Sequence, residues 1–171
     1  MAIVKANYTV RGRAASTTAK KISHAAHYYT YRDGPDRAGR VWYAKDGRSG
    51  PYDAFKSEIY AHAKTHPYSY RVVLSSNVAD LGPGGYHTVI GERFSQYYFV
   101  EHHNTAYPHA HVIGYTATKL SKADLNAMRA QFKDLEQAWA QEQRPTPRTL
   151  SAEQTETVAH VAVRSRGRGR D

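Results

Sequence analysis

Gln96–Thr116 reads QYYFVEHHNTAYPHAHVIGYT, and its alternation decides the fold. The segments "QYYFVEHH" and "HAHVIGYT" both carry the aromatic and β-branched residues that suit a strand. A short loop joins them, and Pro108 stands at the start of the second strand, where a missing N–H does least harm. So short a connection makes the pair an antiparallel hairpin. Side chains two apart on a strand share a face, so His109 and His111 are neighbours while Ala110 points away. The hairpin brings the end of the first strand, His102-His103, beside that pair. Three neutral imidazoles on a rigid sheet leave open positions for water or a phosphate oxygen, the pattern of catalytic rather than structural metal sites. Chance His-x-His pairs on strands are common, so the spacing needs support from the rest of the chain.

The elements around the hairpin alternate. "IVKANYTVR" is an expected strand with Ile3, Lys5, Asn7 and Thr9 on one face and Val4, Tyr8 and Val10 on the other. "STTAKKISHAAHYYTYRDG" opens on N-cap candidates, places Ile22, Ala25, Ala26 and Tyr29 on one helical face, and ends at the Asp33-Gly34 turn. "RVWYAKDG" is a short strand before a second Asp-Gly turn, "YDAFKSEIYAHAKTH" a helix stopped by Pro67, and "YSYRVVLSS" a buried strand. A Gly/Pro turn and a helix are expected in "NVADLGPGGYHTVIGERF". "SKADLNAMRAQFKDLEQAWAQEQ" is the clearest helix, with Ser121 as N-cap and an apolar stripe of Leu125, Met128, Phe132, Leu135 and Trp139. Interleaved strands and helices with tight hairpins predict an α+β domain, a central antiparallel sheet covered by helices, over residues 1–143. Residues 144–171 are polar and proline-broken and end in the basic "RSRGRGRD", a flexible electrostatic arm.

Composition bounds the function. The 171 residues suit one domain, and the absence of cysteine excludes disulfides and thiolate metal sites. No apolar run matches a membrane span or a signal peptide, which makes a soluble cytoplasmic protein the default. The 24 Lys and Arg against 15 Asp and Glu leave a net charge of +9, so the expected partner is a polyanion and not a membrane. The 14 tyrosines, several beside basic residues, fit bases stacking on aromatic faces, although tyrosine is also ordinary sheet material.

"HHNTAYPHAH" resembles the metal-binding motif of relaxases, the conjugative and mobilisation enzymes of the HUH endonuclease superfamily, H-x-D-T-x-x-P-H-x-H before an apolar strand. Its three histidines fall on His102, His109 and His111, its Thr on Thr105 and its Pro on Pro108. Asn104 stands where Asp is common, which lowers the negative charge near a metal and weakens the orientation of a ligand. "YRVVLSS" is similar to the family's strand ending in Leu-Ser. "AHYYTYRDG" is similar to its N-terminal motif, in which a catalytic tyrosine precedes an Arg-Asp-Gly by three residues; counting back from Arg32 gives Tyr29.

The resemblance implies a monomeric nickase and strand transferase that cuts single-stranded DNA at an origin of transfer, with accessory DNA-binding and coupling proteins as further partners. It implies a divalent ion, Mn²⁺ or Mg²⁺, on the three histidines and a 5′-phosphotyrosine intermediate, which stores the phosphodiester energy for resealing. Tyr28 and Tyr31 lie within the same helical turn as Tyr29 and remain alternatives. Arg11, Arg13 and Arg32 are candidates for tracking phosphates, with solvated surface charge an equal alternative. His24, His62, His66, His87 and His160 are assigned to structure or solvent, and His27 and His103 are reserve candidates for proton transfer or ligation. Two other classes stay open: a non-catalytic single-stranded nucleic-acid-binding module, and a replication initiator or transposase of the same superfamily, whose nucleophile typically follows the histidines.

Overall fold

The computed structural model describes residues 3–78 and 80–142; the tail from 144 on, with His160, lies outside the described residues. All of its strand pairs are antiparallel. Strands β1 (Ile3–Val10), β2 (Trp42–Ala44), β3 (Ser49–Gly50), β4 (Tyr68–Ser75), β5 (Gln96–His102) and β6 (His109–Thr116) form one sheet in the order β1-β4-β6-β5-β2-β3. The β5–β6 hairpin expected from the sequence lies at its centre, and both strands are buried almost throughout.

Helices α1 (Ala15–Tyr31) and α2 (Lys56–Thr65) cover one face, and α3 (Gly82–Ile90) and α4 (Lys122–Glu142) cover the other. The result is an α+β domain of three layers with two cores. Ile22 and Ala26 of α1 and Ile59 of α2 pack on Trp42, Val100, Ile113 and Tyr115. On the opposite face Val89 of α3 and Met128 and Phe132 of α4 pack on Val72, Phe99 and Val112. Strand alternation sorts β6 between these cores, which is why a run that looks uniformly apolar or imidazole in sequence has two distinct sides.

Helix ends show where local signals acted. At α4, Ser121 Oγ accepts from Asp124 N–H at 3.1 Å, and the Asp124 carboxylate accepts from Ser121 N–H at 2.7 Å, a reciprocal cap. At α1 the expected polar cap is absent: the chain turns at Ala14, and Ser16, Thr17 and Thr18 lie inside the first turn. The buried stripe of α1 is Thr18, Ala19, Ile22, Ala26 and Thr30, so Ala25 and Tyr29 lie at its half-buried margin. Thr30 is tolerated there because Trp42 Nε1–H donates to its hydroxyl at 3.0 Å, and that hydroxyl donates to the Ala26 carbonyl at 2.8 Å. Among the described residues no helix is long and apolar enough to cross a membrane.

Candidate metal centre

His102 lies directly opposite His109 in the β5–β6 ladder, and His111 follows two residues on, opposite Val100. The three rings point to the α1/α2 side while Ala110 enters the other core. Ring centroids stand 4.6 Å apart for His102–His111, 5.1 Å for His109–His111 and 5.3 Å for His102–His109. One nitrogen from each ring lies within 4.8 Å of the others. Two nitrogens bound to one ion at about 2.1 Å stand at most roughly 4.2 Å apart, so small ring rotations close the set around a cation.

The donor set fits a metal. All three rings are buried. Burial first, and then the Arg40 charge, holds His102 down at about 4; burial and the neighbouring imidazoles hold His111 at about 3; burial and Arg32 lower His109 as well. All three are therefore neutral near pH 7, the protonation state a metal requires. His102 Nε2 lies 2.7 Å from the Tyr29 carbonyl oxygen. Since a carbonyl only accepts, this nitrogen carries the proton, and the lone pair falls on Nδ1. That Nδ1 and both ring nitrogens of His111 are buried without a hydrogen-bond partner, a costly arrangement that a cation on His102 Nδ1 and one His111 nitrogen would relieve in part. The buried three-histidine group could thus hold a divalent ion.

Tyr29 completes the cluster. Its ring stacks on His111, with centroids 4.2 Å apart and planes inclined by 20°. Burial pushes its phenol up, and the positive charge of Arg71 pulls against that shift. The rings of the two alternative tyrosines do not touch the triad imidazoles, although Tyr28 lies edge-on to Tyr29 at 6.2 Å. Tyr28 is exposed, under Arg32, and Tyr31 packs edge-on against Tyr52 with His27 on its other side.

A polar latch that the sequence motifs did not reveal holds this helix end to the sheet. The buried Arg40 guanidinium donates to the carbonyls of Tyr29 at 3.2 Å, Thr30 at 3.0 Å and Arg32 at 2.7 Å, satisfying the orphan acceptors of the α1 C-terminus. It also pairs with Asp36 at 2.9 Å, and Asp36 accepts from His103 N–H at 2.7 Å. A Cβ on Gly34 would fall within 2.9 Å of both partners of that ion pair, which gives the glycine of the Arg-Asp-Gly stretch a physical reason. Asn104 Oδ1 is buried and unpartnered, so Tyr29, through its backbone, and not Asn104 orients the His102 imidazole.

The arginines divide. Arg32 stands close enough to the imidazoles to act on all three. Arg11 does not flank the site: it lies just past β1 at the opposite end of the sheet, where its guanidinium caps α2 by donating to the Thr65 carbonyl at 2.8 Å. Arg13 lies exposed in the adjoining turn before α1. Helix α1 meets the triad at its C-terminal end, through Tyr29, whereas Arg11 and Arg13 precede its N-terminal end, a displacement that adjacency in sequence conceals.

No protein-family model, curated protein or solved structure matches this chain.

Proposed function

We propose that this chain is a metal-dependent, strand-specific single-stranded DNA nickase and strand transferase of the HUH relaxase type, acting at an origin of transfer in plasmid mobilisation or conjugation. The observation that carries this reading is the stack of Tyr29 on His111 beside three neutral, buried imidazoles. A net charge of +9 adds a reason for a polyanionic substrate. A tyrosine placed before the histidines in sequence and beside them in space favours the relaxase order over that of replication initiators and transposases.

His102 through Nδ1, with His109 and His111, would hold a divalent ion, Mn²⁺ or Mg²⁺. When bound, the ion supplies positive charge to the non-bridging oxygens of a phosphodiester. Tyr29 supplies the attacking oxygen: the bond from its Oη to phosphorus forms, the bond from phosphorus to the 3′ oxygen breaks, and the leaving oxygen takes a proton from water. Because burial keeps the phenol protonated at neutral pH, its proton leaves to water as attack proceeds. The latch of Arg40 and Asp36 fixes the Tyr29 backbone, so ring and ligand are positioned together.

Incubation of the full chain with a pool of single-stranded oligonucleotides and Mn²⁺, followed by a denaturing gel, tests the proposal. A covalent DNA adduct is expected with wild type, and none with Tyr29→Phe, which keeps the ring and loses the attacking oxygen. The His109→Ala/His111→Ala double variant should lose Mn²⁺ binding and adduct together. An adduct mapped by mass spectrometry to Tyr28 or Tyr31 would move the nucleophile. Nicking without any adduct would mean hydrolysis by water, and binding that ignores metal, without nicking, would mean a non-catalytic module.

A further inference from the structure

Helices α1 and α2 cover only part of their face of the sheet. They pack over β6, β5 and β2, whereas on β1 and β4 the same face presents Lys5, Asn7 and Arg71 to solvent, with Val73 and Ser75 half-buried. The triad lies at the boundary between the covered and open parts. Val73 stands opposite His111 and Ser75 opposite His109, so the open part begins one strand away from the imidazoles.

Arg71 stands opposite Ile113, diagonal to His111 on the same face. Diagonal cross-strand neighbours lie roughly 7–8 Å apart at the backbone, within reach of a long side chain. Its charge also reaches the Tyr29 phenol. Among the described residues the Arg71 side chain makes no hydrogen bond or ion pair, a freedom it shares with Arg32, whereas Arg40 is committed to the α1 carbonyls and Asp36, Arg11 to the end of α2, and Arg48 to Glu58. An exposed guanidinium with five free donors, diagonal to a candidate cation site and acting on a half-buried phenol, suits a planar or tetrahedral oxyanion.

We propose that Arg71 is a catalytic residue that binds a non-bridging oxygen of the scissile phosphate, from the open side of the sheet, while Tyr29 faces the phosphorus. This inference rests on the nicking reading and adds the residue that receives the substrate. As the Tyr29 Oη–P bond forms and the P–O3′ bond breaks, charge spreads over the non-bridging oxygens, and the Arg71 guanidinium neutralises it without exchanging a proton.

Two arms test it on the full chain. In the first, an oligonucleotide recovered from the adduct pool is used at saturation. Arg71→Ala should slow adduct formation on the order of 10²-fold, the usual loss for one transition-state contact, with a much smaller change in DNA affinity. Arg71→Lys should recover part of the rate, because it restores the charge without the fork. Equal rates in wild type and Arg71→Ala, or a loss confined to affinity, would overturn the assignment. The second arm needs no cleavage: inorganic phosphate is titrated onto Mn²⁺-loaded protein and followed by broadening of its ³¹P signal. Arg71→Ala should weaken this binding about tenfold, as expected of one charged contact, and unchanged binding would overturn the assignment. If wild type forms no adduct yet shows Arg71-dependent broadening, the nicking reading falls and the anion site stands; if it shows neither, both fall.

Discussion

The two faces of the β5–β6 hairpin are made by alternate residues of the same strands and solve different problems. Toward α3 and α4, Phe99, Ala110 and Val112 sit in a dry core with Phe132 and Tyr86. Toward α1 and α2, Ile113 and Tyr115 are equally dry, but two residues nearer the loop the face turns into imidazoles served by a helix end. The first face is filled by shape. The triad end is held by hydrogen bonds and charge, because a helix C-terminus brings bare carbonyls that need donors and the imidazoles must keep nitrogens free. The candidate metal centre sits where packing gives way to polar latches.

The sharpest way to break this comparison is Arg40→Ala. It leaves Asp36 and the Thr30 and Arg32 carbonyls without their buried donor, while the Tyr29 carbonyl keeps His102, and should cost about 3–5 kcal/mol in chemical denaturation. Mn²⁺ affinity of the folded fraction should fall by about 10–100-fold, as for other residues that orient a ligand. If metal affinity is untouched, the latch is structural only.

Gly114→Ala probes the opposite face. A Cβ there would collide with the Phe94 ring, and overpacking should cost about 1–3 kcal/mol in a urea midpoint measurement. Metal binding per folded molecule should be unchanged, since the new methyl points away from the triad. Weakened metal binding would show the faces to be coupled through β6.

The smallest effect is an acid one. Burial works against the Asp36 carboxylate, but hydrogen bonds from Arg40 and the His103 N–H, with the Arg40 charge, hold it at about 2 against an ordinary 3.8. A depressed carboxyl stabilises the fold fully above its unfolded value, and the contribution is lost as pH falls through the folded one. The stability gap between wild type and Asp36→Asn should therefore shrink by up to about 2 kcal/mol between roughly pH 4 and pH 2. The triad imidazoles also charge in acid in both proteins, so most of their contribution cancels in the difference, apart from the pull of the Asp36 charge on His109. A gap that stays constant over that range would show that Asp36 is not held by Arg40 in solution.

Much of this was legible from local pattern. The period-two alternation around Ala110 placed His109 and His111 on one face, the hairpin delivered His102, and Ser121 with its apolar stripe marked α4. These depend on residues a few positions apart, and the chain's own geometry fixes them. The resemblance of the Arg32-Asp33-Gly34 stretch to a family motif pointed to Tyr29, and tertiary contacts put its ring, and not that of Tyr28 or Tyr31, on His111, since three tyrosines in one turn differ only in which direction they leave the helix. The burial of the imidazoles, the Arg40–Asp36 latch, the distance of Arg11 from the triad and the exposure of Arg71 were likewise decided by folding. Each pairs groups far apart in the chain, or depends on how far a helix extends over a sheet, and neither quantity is written in any short window of sequence.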